Sequence, residues 1–190
     1  MNPDSPETVM HETWLAFGAN LGNRLAAIRF GVAGLAAAGV ELVESSSIYT
    51  SRPKYRLDQP PFLNCVGHFR TVLEPRALLE VCQRVEHDAG RQQRSRYGPR
   101  ELDIDILLYD DLQLHEADLQ LPHPGIAKRL FVLVPLAELA PTLPVPGTGD
   151  VGALLREARR ILPVEEEVSR VGPNGNRAPV AEPEGRDAGS

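Results

Sequence analysis

A chain of 190 residues, 42% hydrophobic and 24% charged, has the composition of an ordinary globular domain and can bury a core without disulfide or metal staples. Its formal charge of −6 sits at the ends: residues 1–12 hold three acids and no base, residues 163–190 hold six acids and three arginines, and residues 13–162 balance. A neutral body argues against the extended basic face of a broad nucleic-acid binder, and no apolar run suits a signal peptide or a bilayer span. Cys65 and Cys82 lie in apolar surroundings without metal-ligand spacing, as buried reduced thiols do. The expectation is a cytoplasmic monomer with neither nucleic acid nor membrane as partner.

Residues 1–12 are polar, contain two prolines and read as a flexible leader. Residues 13–18 form a first strand around Trp14, Leu15, Ala16 and Phe17, closed by the tight loop Gly18-Ala19-Asn20-Leu21-Gly22-Asn23, which also supplies a helix N-cap. Leu21, Leu25, Ile28, Val32 and Leu35 recur at helical spacing, and Gly39 ends that helix. Residues 40–50 read as a second strand. The loop that follows, 51–61, holds three prolines and is long and polar enough to be functional. Residues 62–73 are a third strand, with Leu63, Cys65, Gly67 and Phe69 on one face and Asn64, Val66 and His68 on the other. Pro75 opens a second helix whose buried stripe is Leu78, Val81, Cys82 and Val85, and Gly90 stops it. An arginine loop and a strand running to Tyr109 complete the order β-α-β-β-α-β. That is the split pattern of the ferredoxin-like α+β fold, in which one antiparallel sheet carries both helices on one face and leaves the other for ligands. Beyond it come a turn at Asp110-Asp111, short strands and helices, a break expected at Pro135, and a last helix over 151–162. The folded domain is thus placed at 13–162, and residues 163–190, rich in Pro, Gly, Glu and Arg, are expected to be a disordered tail.

The stretch 96–105, Arg-Tyr-Gly-Pro-Arg-Glu-Leu-Asp-Ile-Asp, carries the chemistry. Strand alternation puts Asp103 and Asp105 on one face, about 7 Å apart, opposite Leu102, Ile104 and Ile106. Two such carboxylates repel unless a positive charge intervenes, and magnesium with oxygen ligands suits them. Arg91, Arg94, Arg96 and Arg100 fall within ten residues without an acid, and the guanidinium fork matches phosphate oxygens. On spacing alone an Asp-x-Asp equally suits the wet face of a half-exposed sheet, and arginine runs are commonly solvated loops. Phe62 and Phe131 taken alone fit a core, Asn64 a backbone cap, Glu86 the outer face of the second helix, and His123, between two prolines, an idle loop residue.

Several motifs coincide in order: Phe17-Gly18-Ala19-Asn20-Leu21-Gly22-Asn23, Asp58-Gln59-Pro60-Pro61-Phe62-Leu63-Asn64, Gly90-Arg91, the 96–105 stretch, Leu121-Pro122-His123-Pro124 and Arg129-Leu130-Phe131. Together they resemble the 6-hydroxymethyl-7,8-dihydropterin pyrophosphokinase family over roughly residues 13–160. The resemblance implies the ferredoxin-like fold and transfer of a pyrophosphoryl group from Mg-ATP to the pterin hydroxymethyl oxygen, releasing AMP, in folate biosynthesis. Carried over by motif, Asp103 and Asp105 would bind two Mg2+ ions, and with Arg91 and Arg100 they would form the catalytic set. Glu86, Arg91, Tyr97, Arg100, Ile106, His123 and Arg129 would bind ATP; Ser51, Arg52, Lys54, Phe62, Asn64 and Phe131 would bind the pterin. The chain departs from the family in Ser51-Arg52-Pro53-Lys54-Tyr55, where Thr-x-Pro-x-Gly is usual, and in a slightly shorter arginine loop. Three rivals stay in view: a sheet face that reads single-stranded RNA, an inactive pterin or nucleotide sensor, and an Mg-ATP kinase with another acceptor.

Overall fold

The computed structural model describes residues 9–54, 57–92, 98–162, 168–172 and 177–178. Strand β1 (His11–Ala19) is followed by helix α1 (Arg24–Ala37), strands β2 (Glu41–Ser45), β3 (Tyr49–Ser51) and β4 (Phe62–Thr71), helix α2 (Pro75–Asp88) and strand β5 (Asp103–Tyr109). β1 lies between β4 and β5, and β2 and β3 share the far edge of β4, every pair antiparallel. This is the expected ferredoxin-like order. Small hairpins β6 (Leu114–His115) with β7 (Gln120–Leu121), and β8 (Pro144–Val145) with β9 (Gly149–Asp150), flank helix α3 (Leu130–Leu139) and precede helix α4 (Val151–Ile161).

Alternation along the strands sorts the apolar residues into two cores. Leu15, Phe17, Cys65, Phe69, Leu102, Ile104 and Ile106 point to α1 and α2 and meet Ile28, Leu35, Leu78, Val81, Cys82 and Val85. Within α1 the stripe differs from the periodic reading, for Leu25 is exposed and Gly31 is buried. A Cβ on Gly31 would stand 3.0 Å from Leu102 and 3.4 Å from Phe17, so the missing side chain lets α1 lie close on the sheet. Asn23 caps the helix by accepting a hydrogen bond from the Ala26 N–H at 3.1 Å.

The second face is not left open, as the sequence reading had it. α3 covers much of it, backed by α4, burying Trp14, Val66, Leu107 and Leu108 with Leu130, Val132, Leu133 and Leu136. A slip of one residue between β1 and β5, where Trp14 faces Leu108 and Leu15 faces Ile106, turns both Leu107 and Leu108 to this side. α3 also runs through Pro135 rather than breaking there. Burial of at least four large apolar side chains, at about 1.5–3 kcal/mol each, outweighs the roughly 3 kcal/mol that an interior proline costs. Among the described residues the covered face leaves no broad aromatic platform of the kind single-stranded RNA needs.

Three boundaries also move. The strand expected over 40–50 is two strands, because Ser46 turns its side chain onto β4: its hydroxyl accepts from the Val66 N–H at 3.0 Å and its own N–H donates to the Val66 carbonyl at 2.9 Å. β1 starts at His11 inside the expected leader, because its polar residues find partners: His11 Nδ1 lies 2.7 Å from Asp110, and Glu12 bonds to His68 and Arg70. Residues 1–8 lie outside the described residues. Part of the expected tail joins the sheet, with β10 (Ser169–Val171) pairing with β3, and β11 (Arg177–Ala178) pairing with β10. Low apolar content disfavours a core but not strand addition, which draws on backbone groups; β10 needs only Val168 buried beside it.

Burial pushes the thiols of Cys65 and Cys82 up to about 12. In the unfolded chain they would titrate near 8.5. Their contribution to stability is whole below about pH 8.5 and is lost as the pH climbs through the folded value, because in that window the unfolded chain releases protons that the folded one retains. At pH 8 a disulfide reagent should label neither cysteine in the native protein and both in urea, and the urea midpoint should fall above about pH 8.5 less steeply in a Cys65→Ala/Cys82→Ala double variant.

Candidate active site

The uncovered end of the second face is a cleft of about 260 Å³. Its floor is the central strand. Gly18 pairs with Asn64 on one side and with Asp103 on the other, and Ala16 pairs with Val66 and Asp105. Two small side chains in succession keep that floor low between the polar groups of β4 and β5. A Cβ on Gly18 would stand 3.7 Å from Asn64 Oδ1, 3.8 Å from Phe62 and 3.9 Å from Asp103, taking space from any ligand that bridges them. Neither residue stood out in the sequence as functional; their signal was the small-residue alternation in an otherwise bulky strand.

Phe62 and Asn64 line the wall on β4, with Ser51, Arg52, Pro53 and Lys54 beside them and Phe131 from α3. Both rings are half-buried, so neither is spent in the core. Asn64 Nδ2 donates to Ser51 Oγ at 2.9 Å, which fixes the amide and leaves Oδ1 on the Gly18 side. Lys54 Nζ donates to the Lys128 carbonyl at 2.9 Å, tying the proline-rich loop to the short 3-10 turn Ile126–Lys128.

The acids and arginines meet at the other wall. Asp103 Oδ1 accepts from Arg100 and from Arg91 Nη1, the latter at 3.0 Å. Arg91 also pairs with Glu86, whose Oε1 accepts from the Ile104 N–H at 2.7 Å. Glu86 is buried, not on the outer face of its helix, and burial together with Asp103 holds its carboxyl above the usual range. Asp105 is raised in the same direction by burial and by Asp103, against the opposing charges of His123 and Arg129. Arg129 Nη1 stands 3.4 Å from Asp105 Oδ2, with its guanidinium 5.8 Å from the Phe131 ring centre. His123 Nδ1 accepts from the Gly125 N–H at 2.9 Å, so the ring proton sits on Nε2, 3.9 Å from Asp105 Oδ2. Burial and the Arg129 charge lower the His123 pKa.

A second pocket of about 280 Å³ adjoins this one and shares Asp105 and His123 with it; Leu79, Ile104, Ile106 and Leu119 supply its apolar walls. Ile106, assigned by motif, is thus placed here and not in the first cleft. Tyr97, Arg94, Arg96 and Tyr55 lie outside the described residues. Asn20, which sequence reasoning treated as part of a turn, joins three loops. Its Oδ1 accepts from the Arg100 N–H at 2.7 Å, its Nδ2 donates to Gln59 Oε1 and the Pro60 carbonyl at 3.2 Å, and its own N–H donates to the Arg100 carbonyl at 3.0 Å.

A ferredoxin-like domain whose sheet end gathers paired acids, arginines and a flat aromatic-lined slot is a phosphate-handling α+β protein. The family model described as 7,8-dihydro-6-hydroxymethylpterin-pyrophosphokinase matches residues 14–141. The chain is 42% identical to the 2-amino-4-hydroxy-6-hydroxymethyldihydropteridine pyrophosphokinase of Methylorubrum extorquens over 139 residues, 73% of this chain and 88% of that protein. It is likewise 42% identical to the Bacillus subtilis protein of the same name over 127 residues, 66% of this chain and 76% of that one. The crystal structure of Plasmodium falciparum HPPK-DHPS, wild type with pteroate, superposes with a TM-score of 0.66 at 14% identity, over 87% of this chain and 46% of that one, and bears on the fold alone. The chain belongs to the 7,8-dihydro-6-hydroxymethylpterin-pyrophosphokinase family.

Asn20→Ala leaves the Arg100 N–H without its partner and releases the loop at Gln59 and Pro60. A loss of about 1–3 kcal/mol is expected in urea unfolding, the cost of an unsatisfied buried donor.

Proposed function

We propose that this cleft carries out the reaction for which the family is named, transferring pyrophosphate from Mg-ATP to the hydroxymethyl oxygen of 6-hydroxymethyl-7,8-dihydropterin and releasing AMP, as a step of folate biosynthesis. The hydroxymethyl oxygen forms a bond to the β-phosphorus, the bond from that phosphorus to the oxygen retained by AMP breaks, and the hydroxyl proton leaves. The observation that carries the reading is that two pockets meet at Asp105 and His123, with Asp103 and Arg100 in the first. Two flat heterocycles joined by a polyphosphate need such a layout.

The slot between Phe62 and Phe131 suits a pterin ring by stacking, with the fixed Asn64 amide and Ser51 offering hydrogen bonds to its polar edge and Arg52 and Lys54 closing the side. The apolar walls of the second pocket, Ile106 among them, suit the adenine. Asp103 and Asp105 would hold magnesium. Among the described residues no cluster of three or more His, Cys, Asp or Glu offers a self-sufficient metal cage, and a pair of carboxylates completed by phosphate oxygens and water is what magnesium prefers. The raised Asp105 carboxyl fits this, since a divalent cation beside it would favour its charged form. Two ions held by this pair is the count proposed. When bound, they would supply positive charge that offsets the phosphates beside the two acids.

Arg100, which lines the cleft, and Arg91 behind it are held in place by Asp103 and Glu86, so charge that grows on the bridging oxygen would meet guanidinium groups already oriented. His123, with its proton on Nε2, would donate to a phosphate oxygen as a neutral ring, and Arg129 would pair with another. Glu86 would bear on the nucleotide through Arg91; Tyr97 is assigned to the nucleotide by its place in the motif. One copy of the chain supplies the whole cleft, which supports a monomer, and two free cysteines suit a reducing cytoplasm. No helix among the described residues is long and apolar enough to cross a membrane.

The purified protein with Mg-ATP and hydroxymethyl-dihydropterin should yield AMP, resolved from ADP by chromatography; ADP instead would point to a kinase of another kind. Asp105→Asn should keep the native circular dichroism and lose turnover by orders of magnitude, as loss of a metal ligand does. Arg100→Ala should lower kcat by about 10²–10³-fold with little change in pterin affinity, which isothermal titration would read directly.

A further inference from the structure

Glu138, near the C-terminal end of α3 and outside the cleft, gathers contacts from two other elements. Its Oε2 accepts from the Ser47 N–H and from the Tyr49 hydroxyl, both at 2.9 Å, and its Oε1 accepts from the Ser47 hydroxyl at 2.7 Å. Arg170 of β10 stands 3.7 Å from Oε1. Tyr49 is 3% exposed, and burial and Glu138 push its hydroxyl up to about 12, so it remains a donor.

The position of these donors in the chain gives them meaning. Residues 46–48 lie where β2 has ended and β3 has not begun, so their backbone lacks the regular ladder on β4. Glu138 holds this junction from the face of the sheet. β10 holds it from the edge, with Ser169 opposite Thr50, Arg170 opposite Tyr49, and the Val171 N–H donating to the Ile48 carbonyl at 2.8 Å. Ser51 closes β3 and Arg52, Pro53 and Lys54 follow it, all four lining the cleft, while the same helix that bears Glu138 carries Phe131, which lines the cleft as well.

We propose that Glu138 is a positioning residue for the pterin half of the site. By binding Ser47 of the junction and Tyr49 of β3 to α3 it sets the distance between the Ser51–Lys54 wall and Phe131, and β10, from beyond the family match at residues 14–141, is a second brace on the same strand. The slot needs this because a stacked ring tolerates little error in width, and misplacement by about 1 Å can cost two orders of magnitude. The inference rests on the pterin reading of the cleft but its structural part does not.

Steady-state kinetics and hydrogen exchange on the full-length protein test both parts. Glu138→Ala should raise the pterin KM about tenfold or more while the ATP KM stays within about twofold, and Glu138→Gln, which keeps an acceptor oxygen for Tyr49 or Ser47, should recover much of the loss. In the same Glu138→Ala variant the amides of residues 47–54 should exchange faster while those of β1 and β5 are unchanged. Should Glu138→Ala fail to fold, Tyr49→Phe removes a single hydrogen bond and should shift the pterin KM in the same direction by a smaller factor. Equal rises in both KM values, or faster exchange throughout the sheet, would reduce Glu138 to a general stabilising residue and overturn the proposal; so would unaltered exchange over 47–54. If the wild type forms no AMP, the functional reading has failed, and the exchange measurement alone decides whether Glu138 sets the wall.

Discussion

Two carboxylates on one face of β5 repel each other, and the architecture around them answers that repulsion. Arg100 and Arg91 reach Asp103, while Arg129 and His123 face Asp105, so each acid is matched from a different part of the chain. The matching is incomplete, for Asp105 stays raised by burial and by its neighbour. Three acids, Glu86, Asp103 and Asp105, are thus set among three arginines whose positions they fix at one end of the sheet.

The sheet makes this possible by dividing its labour between faces. α1 and α2 bury one face along its length, and α3, backed by α4, buries much of the other, so the remaining opening is small and bounded on several sides. Phe131 and Arg129 enter the cleft because α3 crosses the sheet with its N-terminal end at that opening, and the apolar residues of the same helix keep it there. Packing energy spent on the second core is therefore what places these two side chains in the cleft.

Loops around such an opening would be loose if each were held only at its ends. Asn20 joins the loop after β1 to the one before β4 and to the arginine loop, and Glu138 joins α3 to the start of β3. Each acts through hydrogen bonds from one side chain to segments remote in the chain, which limits the entropy lost when ligand binds.

Strand alternation alone put Asp103 and Asp105 together and set them opposite Leu102, Ile104 and Ile106; it likewise set Asn64 and Val66 against Cys65 and Phe69. Local chemistry of this sort is written in neighbouring residues, and so is the ordered set of motifs by which the family could be read. The sequence could not show that α3 survives Pro135, that Glu86 is buried, or that Ser169–Val171 extends the sheet, because each depends on partners distant along the chain. Ala16 and Glu138 have no role that neighbouring residues reveal, and Gly18 and Asn20 stand in a motif that does not show what they touch, for the same reason. Residue type and period therefore determined which groups share a face and what chemistry they can do. Only the packing of remote elements decided how wide the cleft is and which side chains hold its walls, since those distances are set by contacts between segments tens of residues apart.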